Sequence, residues 1–156
     1  MRTALARPAL LLLVAGLAAT TGGACGAPEA PCAPTLEAAW IRAAPPGATT
    51  LAGYAVLRNA CATPVTVVGA DSPDFAAVSL HATMDRGGVS HMHAAGPLEV
   101  AAKSSLQLAP GGTHLMLMDP AKALPEGASA RIHLVLADGN KVAADFPVRR
   151  EAPQAP

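Results

Sequence analysis

Apolar and polar residues alternate along most of this chain, in short runs separated by Gly, Pro, Asn and Asp. Successive side chains of a β-strand point to opposite faces, so a period of two is typical of strands that bury one face. Helical periodicity is weak. The Ala-rich stretch near Glu37 is its one competitor, and Pro45 and Pro46 follow too closely for a long helix. The pattern therefore predicts an all-β domain.

Ten strands are predicted, and turn-forming residues separate them. The segment Asp-Gly-Asn at 138–140 lies between two alternating runs, as a hairpin loop does, and Pro-Gly-Gly at 110–112 precedes His114. The segment Asp-Arg-Gly-Gly at 85–88 is a predicted turn between the strands that carry His81 and Met92. Many short strands with regular turns are typical of a β-sandwich. The predicted strands are residues 36–42, 53–59, 65–70, 78–83, 89–93, 98–100, 105–108, 114–118, 130–136 and 141–148.

The start of the chain departs from this pattern. Arg2 and Arg7 precede an apolar run at 9–19, and small residues follow at 20–24. The apolar run is too short to span a bilayer and has the layout of a secretory signal peptide. We therefore expect export to the periplasm. The predicted organisation is a signal peptide at 1–24, a flexible tether at 25–34, a single β-sandwich domain at 35–150 and a disordered tail at 151–156.

Composition limits the size of the core and the class of partner. A chain of 156 residues with 51% hydrophobic residues can form one domain, and an aromatic content of 3% leaves Val, Leu and Ala to build its core. The formal charge is zero, and removal of Arg2 and Arg7 with the leader leaves 9 basic against 11 acidic residues. This balance implies no nucleic-acid-binding surface. We expect a monomer.

Three cysteines need an explanation in an oxidising compartment. Cys25 follows small residues at the expected cleavage point, which indicates a lipoprotein site with a lipid anchor on Cys25. Gly22 replaces the usual Leu three positions earlier, so cleavage by the ordinary signal peptidase stays open as the alternative. Cys32 and Cys61 then form a disulfide pair, with two free thiols as the alternative. The anchor at Cys25 is the one predicted contact with a membrane.

Histidine and methionine cluster in one part of the chain. Four of the five histidines, and every methionine except the initiator, lie between His81 and Met118. Within the cluster, His81 is followed after ten residues by Met92, and after twenty-one more by His114-Leu115-Met116. On a strand, His114 and Met116 share one face about 6.6 Å apart, so both can reach one ion. His81 and Met92, on strands joined by a glycine turn, can supply the other half of a site.

Two imidazoles and two thioethers make a soft ligand set, and soft thioethers select Cu(I) among biological metals. Outside the cytoplasm a pair of cysteines can oxidise and lose copper, whereas methionine cannot form a disulfide. Thioethers bind more weakly than a thiolate cage, so an acceptor with better ligands can take the ion by stepwise exchange. The residues predict a Cu(I) carrier with the ligands His81, Met92, His114 and Met116.

These residues also carry a resemblance to a known family. The spacing of His81, Met92, His114 and Met116 resembles the signature of the PCu(A)C family of periplasmic copper chaperones, with supporting similarity that begins at Trp40. The resemblance implies a cupredoxin-like Greek-key β-sandwich that binds Cu(I). It also implies delivery of copper to a cytochrome c oxidase subunit or a Sco-type chaperone, for assembly of the dinuclear copper centre of cytochrome c oxidase.

Four other residues of the cluster have simpler interpretations. His91 and His93 flank Met92 and face away from it on a strand, so they are expected at the surface, with a secondary Cu(II) site as the alternative. Met84 is expected to fill a packing gap, because methionine adapts to irregular spaces. Met118 shares the face of His114 and is expected to belong to the core rather than to the ligand set.

Other classes of protein fit the residues less well. An enzyme needs an acid, base or nucleophile beside the cluster, and the only nearby carboxylates, Asp85 and Asp119, lie at predicted turns. We therefore predict no enzyme. An electron-transfer cupredoxin needs a Cys ligand, and neither Cys32 nor Cys61 lies near His114 in the sequence. That class and a non-catalytic copper-storage or resistance protein stay as alternatives to a chaperone.

Overall fold

The computed structural model describes residues 32–153, and in that range the chain forms ten β-strands and no helix. The described range accordingly holds no helix long and apolar enough to cross a membrane. The predicted signal peptide, Cys25, the first part of the tether and residues 154–156 lie outside the described residues. The strands are β1 (Thr35–Arg42), β2 (Thr50–Asn59), β3 (Val65–Asp71), β4 (Phe75–Arg86), β5 (Val89–Ala94), β6 (Leu98–Val100), β7 (Ser104–Leu108), β8 (Thr113–Pro120), β9 (Ser129–Leu136) and β10 (Lys141–Arg149).

The strands form two layers around one core. One layer has the order β5-β4-β8-β2-β1, with β7 also paired to β2, and the other has the order β10-β9-β3-β6. Neighbouring strands are antiparallel except β1 and β10, which pair in parallel at Ile41 and Val148 and connect the layers. The predicted all-β sandwich is confirmed, and each of the ten predicted strands corresponds to an observed one.

Alternation along the strands sends one set of side chains into the core. In β9, Ala130, Ile132, Leu134 and Leu136 are buried, and the residues between them are more exposed. Burial of a large apolar side chain stabilises a fold by about 1.5–3 kcal/mol relative to exposure. The core therefore holds the two layers in register. Functional side chains are then expected on the other face of each strand. The fully buried side chains are Phe146, Ile41, Leu57, Leu115, Leu117, Ile132, Leu134, Val67, Val148 and Asn59.

The hairpin of β4 and β5 extends beyond this core. Asp85 and Arg86 were predicted in a turn, and that prediction was wrong, because both pair with residues of β5. The turn consists of Gly87 and Gly88 alone, whose φ angles of 66° and 80° are the positive values that a two-residue type I′ turn needs. Asp85 Oδ1 closes it by accepting a hydrogen bond from the Gly88 N–H at 2.9 Å. Residues 84–94 are all exposed, so the hairpin projects from the sandwich.

A disulfide and a buried asparagine fix the loop that follows β2. The structure joins Cys32 and Cys61, with their Cα atoms 5.6 Å apart. The Asn59 side chain has no exposed surface, and its Oδ1 accepts a hydrogen bond from the Cys61 N–H at 3.1 Å. Asn59 has no predicted role, although its side chain holds three segments together. Its Nδ2 lies 2.9, 3.2 and 3.1 Å from the carbonyl oxygens of Thr63, Val100 and Ala101.

Candidate metal centre

Two histidines face each other across the antiparallel pair of β4 and β8. His81 and His114 are direct partners in the register, and their ring centroids are 6.3 Å apart. The next pair along, Leu80 and Leu115, is buried in the core. Because side chains alternate, the two imidazoles lie on the opposite face of the layer. A metal ion about 2.0 Å from a ring nitrogen lies about 3.2 Å from the ring centre, so this separation permits one ion to bind both rings.

His114 is held in one orientation by the backbone. Its side chain is 5% exposed, and its Nδ1 donates a hydrogen bond to the carbonyl oxygen of Gly112 at 3.0 Å. A carbonyl can only accept, so the proton of the neutral ring is on Nδ1 and the lone pair is on Nε2. The turn that ends at Gly112 thus fixes both the ring and its tautomer, which is the usual role of outer-shell partners in metal sites.

His81 has the complementary arrangement. Its Nε2 lies 3.1 Å from Ser79 Oγ, while its Nδ1 is buried and has no hydrogen-bond partner. Among the described residues, this is the one buried side-chain nitrogen or oxygen atom without a partner. An unsatisfied buried polar atom costs about 1–3 kcal/mol and calls for an explanation. A metal ion bound to His81 Nδ1 would use that lone pair.

Met116 adds a thioether beside the two imidazoles. It follows His114 by two residues on the same face of β8, and its Cα partners are Ser79 of β4 and Ala52 of β2. Its side chain is half-buried. Together the three side chains form a neutral patch with two nitrogen donors and one sulfur donor. Such a soft, uncharged set suits Cu(I) better than a hard cation.

Met92 lies on the same face but at its rim. Met92 belongs to the edge strand β5 and pairs with Thr83 of β4, which follows His81 by two residues. The Met92 side chain is 55% exposed. In a flat sheet its Cα would be about 16 Å from the Cα of Met116, since two strand spacings and four residues separate them. The structure therefore brings His81, His114 and Met116 together, and a site that includes Met92 requires the hairpin to bend toward β8.

Aromatic rings border the histidines on the other side. The Tyr54 ring centroid is 6.4 Å from that of His114 and 4.8 Å from that of Trp40. The Arg42 guanidinium covers both aromatic rings, at 5.6 Å from the Tyr54 centroid and 5.8 Å from the Trp40 centroid. Both rings are buried. This wall shields His114 from water and leaves the side toward Met92 open.

Carboxylates take no part in the patch. The described residues contain no group of three or more His, Cys, Asp or Glu side chains placed to hold a metal ion. The patch has two histidines and draws its remaining donor from methionine, so it contains only two residues of those types. The donor set is accordingly one for a soft ion, and it differs from the three His or carboxylate ligands of catalytic zinc.

The remaining members of the cluster lie elsewhere on these strands. Met84 was predicted to fill a packing gap, and this was wrong, because its side chain is 46% exposed on the projecting hairpin. His91 and His93 are exposed and lie on the face opposite Met92, as their alternation predicts. Met118 lies beyond Met116 on the same face of β8 and is half-buried beside Ala77.

The sequence matches a family of lipoproteins. The family model described as "Putative lipoprotein LpqE-like" matches residues 35–148. A relative from Leifsonia xyli subsp. xyli (strain CTCB07), named "Putative lipoprotein Lxx21020", is 33% identical over 115 residues, which cover 73% of this chain and 68% of the relative. The matched residues span nearly all of the sandwich, including both halves of the His/Met patch.

Similar solved structures include PCuAC domains and a copper-bound protein. The copper-bound PCuAC domain from PmoF2 is 30% identical, with a TM-score of 0.59 over 76% of this chain and 92% of that domain. Apo-DR1885 from Deinococcus radiodurans is 27% identical, with a TM-score of 0.60 over 93% of this chain and 97% of that protein. Its CuI form is 30% identical, with a TM-score of 0.59 over 85% and 86%. These matches confirm the predicted resemblance to PCu(A)C domains and the cupredoxin-like sandwich.

Proposed function

The chain belongs to the family of LpqE-like lipoproteins, and we propose that it is an exported copper chaperone that binds Cu(I) through His81, Met92, His114 and Met116. One observation carries the proposal. His81 Nδ1 is buried and has no hydrogen-bond partner. On the same face, His114 Nδ1 donates to the Gly112 carbonyl oxygen, so the lone pair of His114 Nε2 can bind a metal ion. Two imidazole lone pairs beside a thioether form a ligand set that Cu(I) prefers. The copper-bound relatives of the same fold support this assignment.

The four ligands differ in accessibility, and this difference suits a carrier. His114 is buried and Met116 is half-buried, whereas Met92 is 55% exposed on an edge strand. We assign Met92 as the last ligand to bind copper and the first to leave. An incoming ligand from an acceptor can then replace its sulfur while the imidazoles still hold the ion. Transfer by such exchange never releases free copper.

The acceptor is a copper protein with stronger ligands than thioethers. By resemblance to the PCu(A)C chaperones we propose a cytochrome c oxidase subunit or a Sco-type chaperone, with the dinuclear copper centre of the oxidase as the destination. The protein would meet it in the periplasm, after export by the signal peptide at 1–24. The lipoprotein relatives support a lipid anchor at Cys25, with residues 26–31 as the tether up to Cys32, which the disulfide joins to the domain.

The alternatives to a chaperone have less support. An electron-transfer cupredoxin needs a cysteine thiolate on copper, and both cysteines of the described residues are joined in a disulfide. A storage or resistance protein has less support, because the patch of His81, His114 and Met116 is one compact ligand set for a single ion. The free lone pairs of both imidazoles are assigned to copper, and no group of three or more His, Cys, Asp or Glu side chains accompanies them in the described residues, so we propose a carrier and no enzyme.

Cu(I) titration against a competing chelator, without oxygen, tests the ligand set. We expect one tightly bound equivalent in the wild type and a loss of affinity on the order of 100-fold in the double variant M92L/M116L, which corresponds to about 2.7 kcal/mol. Leucine nearly matches methionine in volume, so the fold should persist. The variant M84L, which changes an exposed methionine on the other face, is the matched control. Equal affinity of the double variant and the wild type would overturn the proposal.

A further inference from the structure

The projecting hairpin carries a second set of metal-binding side chains, on the face opposite Met92. Met84 of β4 and His91 of β5 are direct Cα partners, and His93 lies two residues further along β5 on the same face. With Arg86 these residues line an open cavity of about 330 Å³. All four side chains are exposed. None of them contributes to the core or to the His81 patch.

We propose that this cavity is a second copper site, which takes Cu(II) on the imidazoles of His91 and His93. Side chains two residues apart on a strand lie about 6.6 Å apart on one face, so two imidazoles can close on one ion between them. Imidazole is a good ligand for divalent copper, which binds nitrogen sites more tightly than the other first-row divalent metals do. Met84, across from His91, adds a thioether of the kind that serves as a weak axial ligand to Cu(II).

Alternation along β5 keeps the two sites separate. Met92 lies between His91 and His93 in the sequence and points to the opposite face, toward His81 and Thr83. One strand therefore contributes the exposed sulfur of the Cu(I) site and both nitrogens of the Cu(II) site. The donor sets differ accordingly, since imidazoles with solvent suit Cu(II) and imidazoles with thioethers suit Cu(I).

Arg86 makes the second site weaker than its ligands alone would allow. Its guanidinium lines the same cavity, and a positive charge a few ångströms away repels a divalent cation. Two unit charges about 7 Å apart in water repel by roughly threefold in affinity, so a divalent ion loses on the order of tenfold at low salt. The substitution R86Q should therefore tighten Cu(II) binding by that factor or more, and added salt should reduce the difference.

Electron paramagnetic resonance with Cu(II) on the full chain tests the second site. One equivalent of Ag(I), a redox-inert substitute for Cu(I), is added first to occupy the thioether site. We expect the wild type then to bind one equivalent of Cu(II), with hyperfine splitting from two imidazole nitrogens. The double variant H91Q/H93Q should lose this signal, while H133Q, which changes a histidine in the other layer, should keep it.

The second site and the Cu(I) proposal can fail separately, because Cu(I) affinity can be measured without Ag(I) on the same variants. An unchanged Cu(II) signal in H91Q/H93Q would overturn the second site and leave the Cu(I) site untouched. Loss of the Cu(II) signal in H133Q as well would also count against it, since the bound ion would then depend on residues outside the hairpin. Wild-type Cu(I) affinity in H91Q/H93Q is expected, because neither residue faces His81.

Discussion

Gly112 determines which nitrogen of His114 is free. The carbonyl oxygen of Gly112 accepts a hydrogen bond from His114 Nδ1 at 3.0 Å, so the lone pair of the neutral ring is on Nε2. In His81 the order is reversed, since Nε2 lies 3.1 Å from Ser79 Oγ and Nδ1 is unpartnered. The two imidazoles of the proposed site thus present different atoms to one ion.

Nitrogen NMR of the imidazoles checks this difference. On addition of one equivalent of Cu(I), which is diamagnetic, we expect large shifts of His114 Nε2 and His81 Nδ1 and small shifts of the other two ring nitrogens. His133 is the internal control, because its Nδ1 is engaged with Asp71 Oδ1 at 2.7 Å in the other layer. Coordination of both rings through Nε2 would contradict the arrangement.

The two methionines of the site should differ in their effect on copper binding. Met116 is half-buried beside His114, whereas Met92 is 55% exposed at the rim. We expect M116L to reduce Cu(I) affinity by on the order of tenfold or more, about 1.4 kcal/mol. The variant M92L should reduce it less. The comparison uses the same chelator competition for both single variants, and a larger loss in M92L would reverse the assigned order.

The same pair should separate in kinetics. If Met92 is the exchanging ligand, M92L should accelerate copper release to a chelator, because the first of the four bonds to break is already missing. In M116L the missing ligand lies on the enclosed side of the ion. The rate of copper release from M116L should therefore depend less on the chelator concentration than the rate from M92L. Stopped-flow measurement of release at several chelator concentrations compares the two, and identical concentration dependence would contradict the exchange scheme.

The strands and the shared face of the ligands were predictable because both follow from one local rule. A period of two in β8 places His114 with Met116 and leaves Leu115 for the core, and the structure has that arrangement. The burial of Met84 was predicted wrongly, and the alternation of residues along the strand does not contain the reason. Alternation assigns a residue to a face, but whether that face is covered depends on where the opposing layer ends, and β4 continues past that point.

The role of Asn59 could not be predicted from a local pattern either. Its three acceptors belong to segments up to 42 residues away in the chain. In the sequence, Asn59 lies at the end of the predicted strand 53–59, a position where asparagine is common. Its position inside the fold, with no exposed surface, arises only once β2, β6 and the disulfide loop meet.

Substitution of Asn59 should therefore destabilise the domain. The variant N59A leaves the buried Val100 carbonyl oxygen and the Cys61 N–H without their partner and removes part-buried hydrogen bonds to Thr63 and Ala101. A buried unsatisfied group costs about 1–3 kcal/mol. We expect a loss of at least about 2 kcal/mol in the free energy of unfolding, measured with urea on the oxidised protein. The control is N140A, which removes an exposed turn contact with Asp138 and should cost less than about 1 kcal/mol. Similar values for both would contradict the assigned role.

Asp71 links the stability of the fold to pH. Its Oδ2 lies 2.6 Å from Lys141 Nζ and its Oδ1 lies 2.7 Å from His133 Nδ1. These hydrogen bonds, that from Lys141 first, hold the pKa of the Asp71 carboxyl below its usual value of 3.8. A carboxyl whose pKa is lower in the folded state stabilises that state above the pKa of the unfolded chain, and the contribution disappears as pH falls through the folded-state pKa.

The variant D71N should consequently be less stable than the wild type at pH 7, by less than about 1 kcal/mol because the carboxylate is partly exposed to solvent. The difference should shrink as the pH is lowered below 3.8 and vanish once the pH lies below the folded-state pKa of Asp71, where the wild-type carboxyl is protonated. The variant K141Q removes the larger of the two hydrogen-bond effects and should show part of the same change. Urea unfolding at pH 7, 4 and 2 measures all three proteins. A difference between D71N and the wild type that stays constant over this range would show that packing, and not the ionised carboxylate, accounts for the contribution of Asp71.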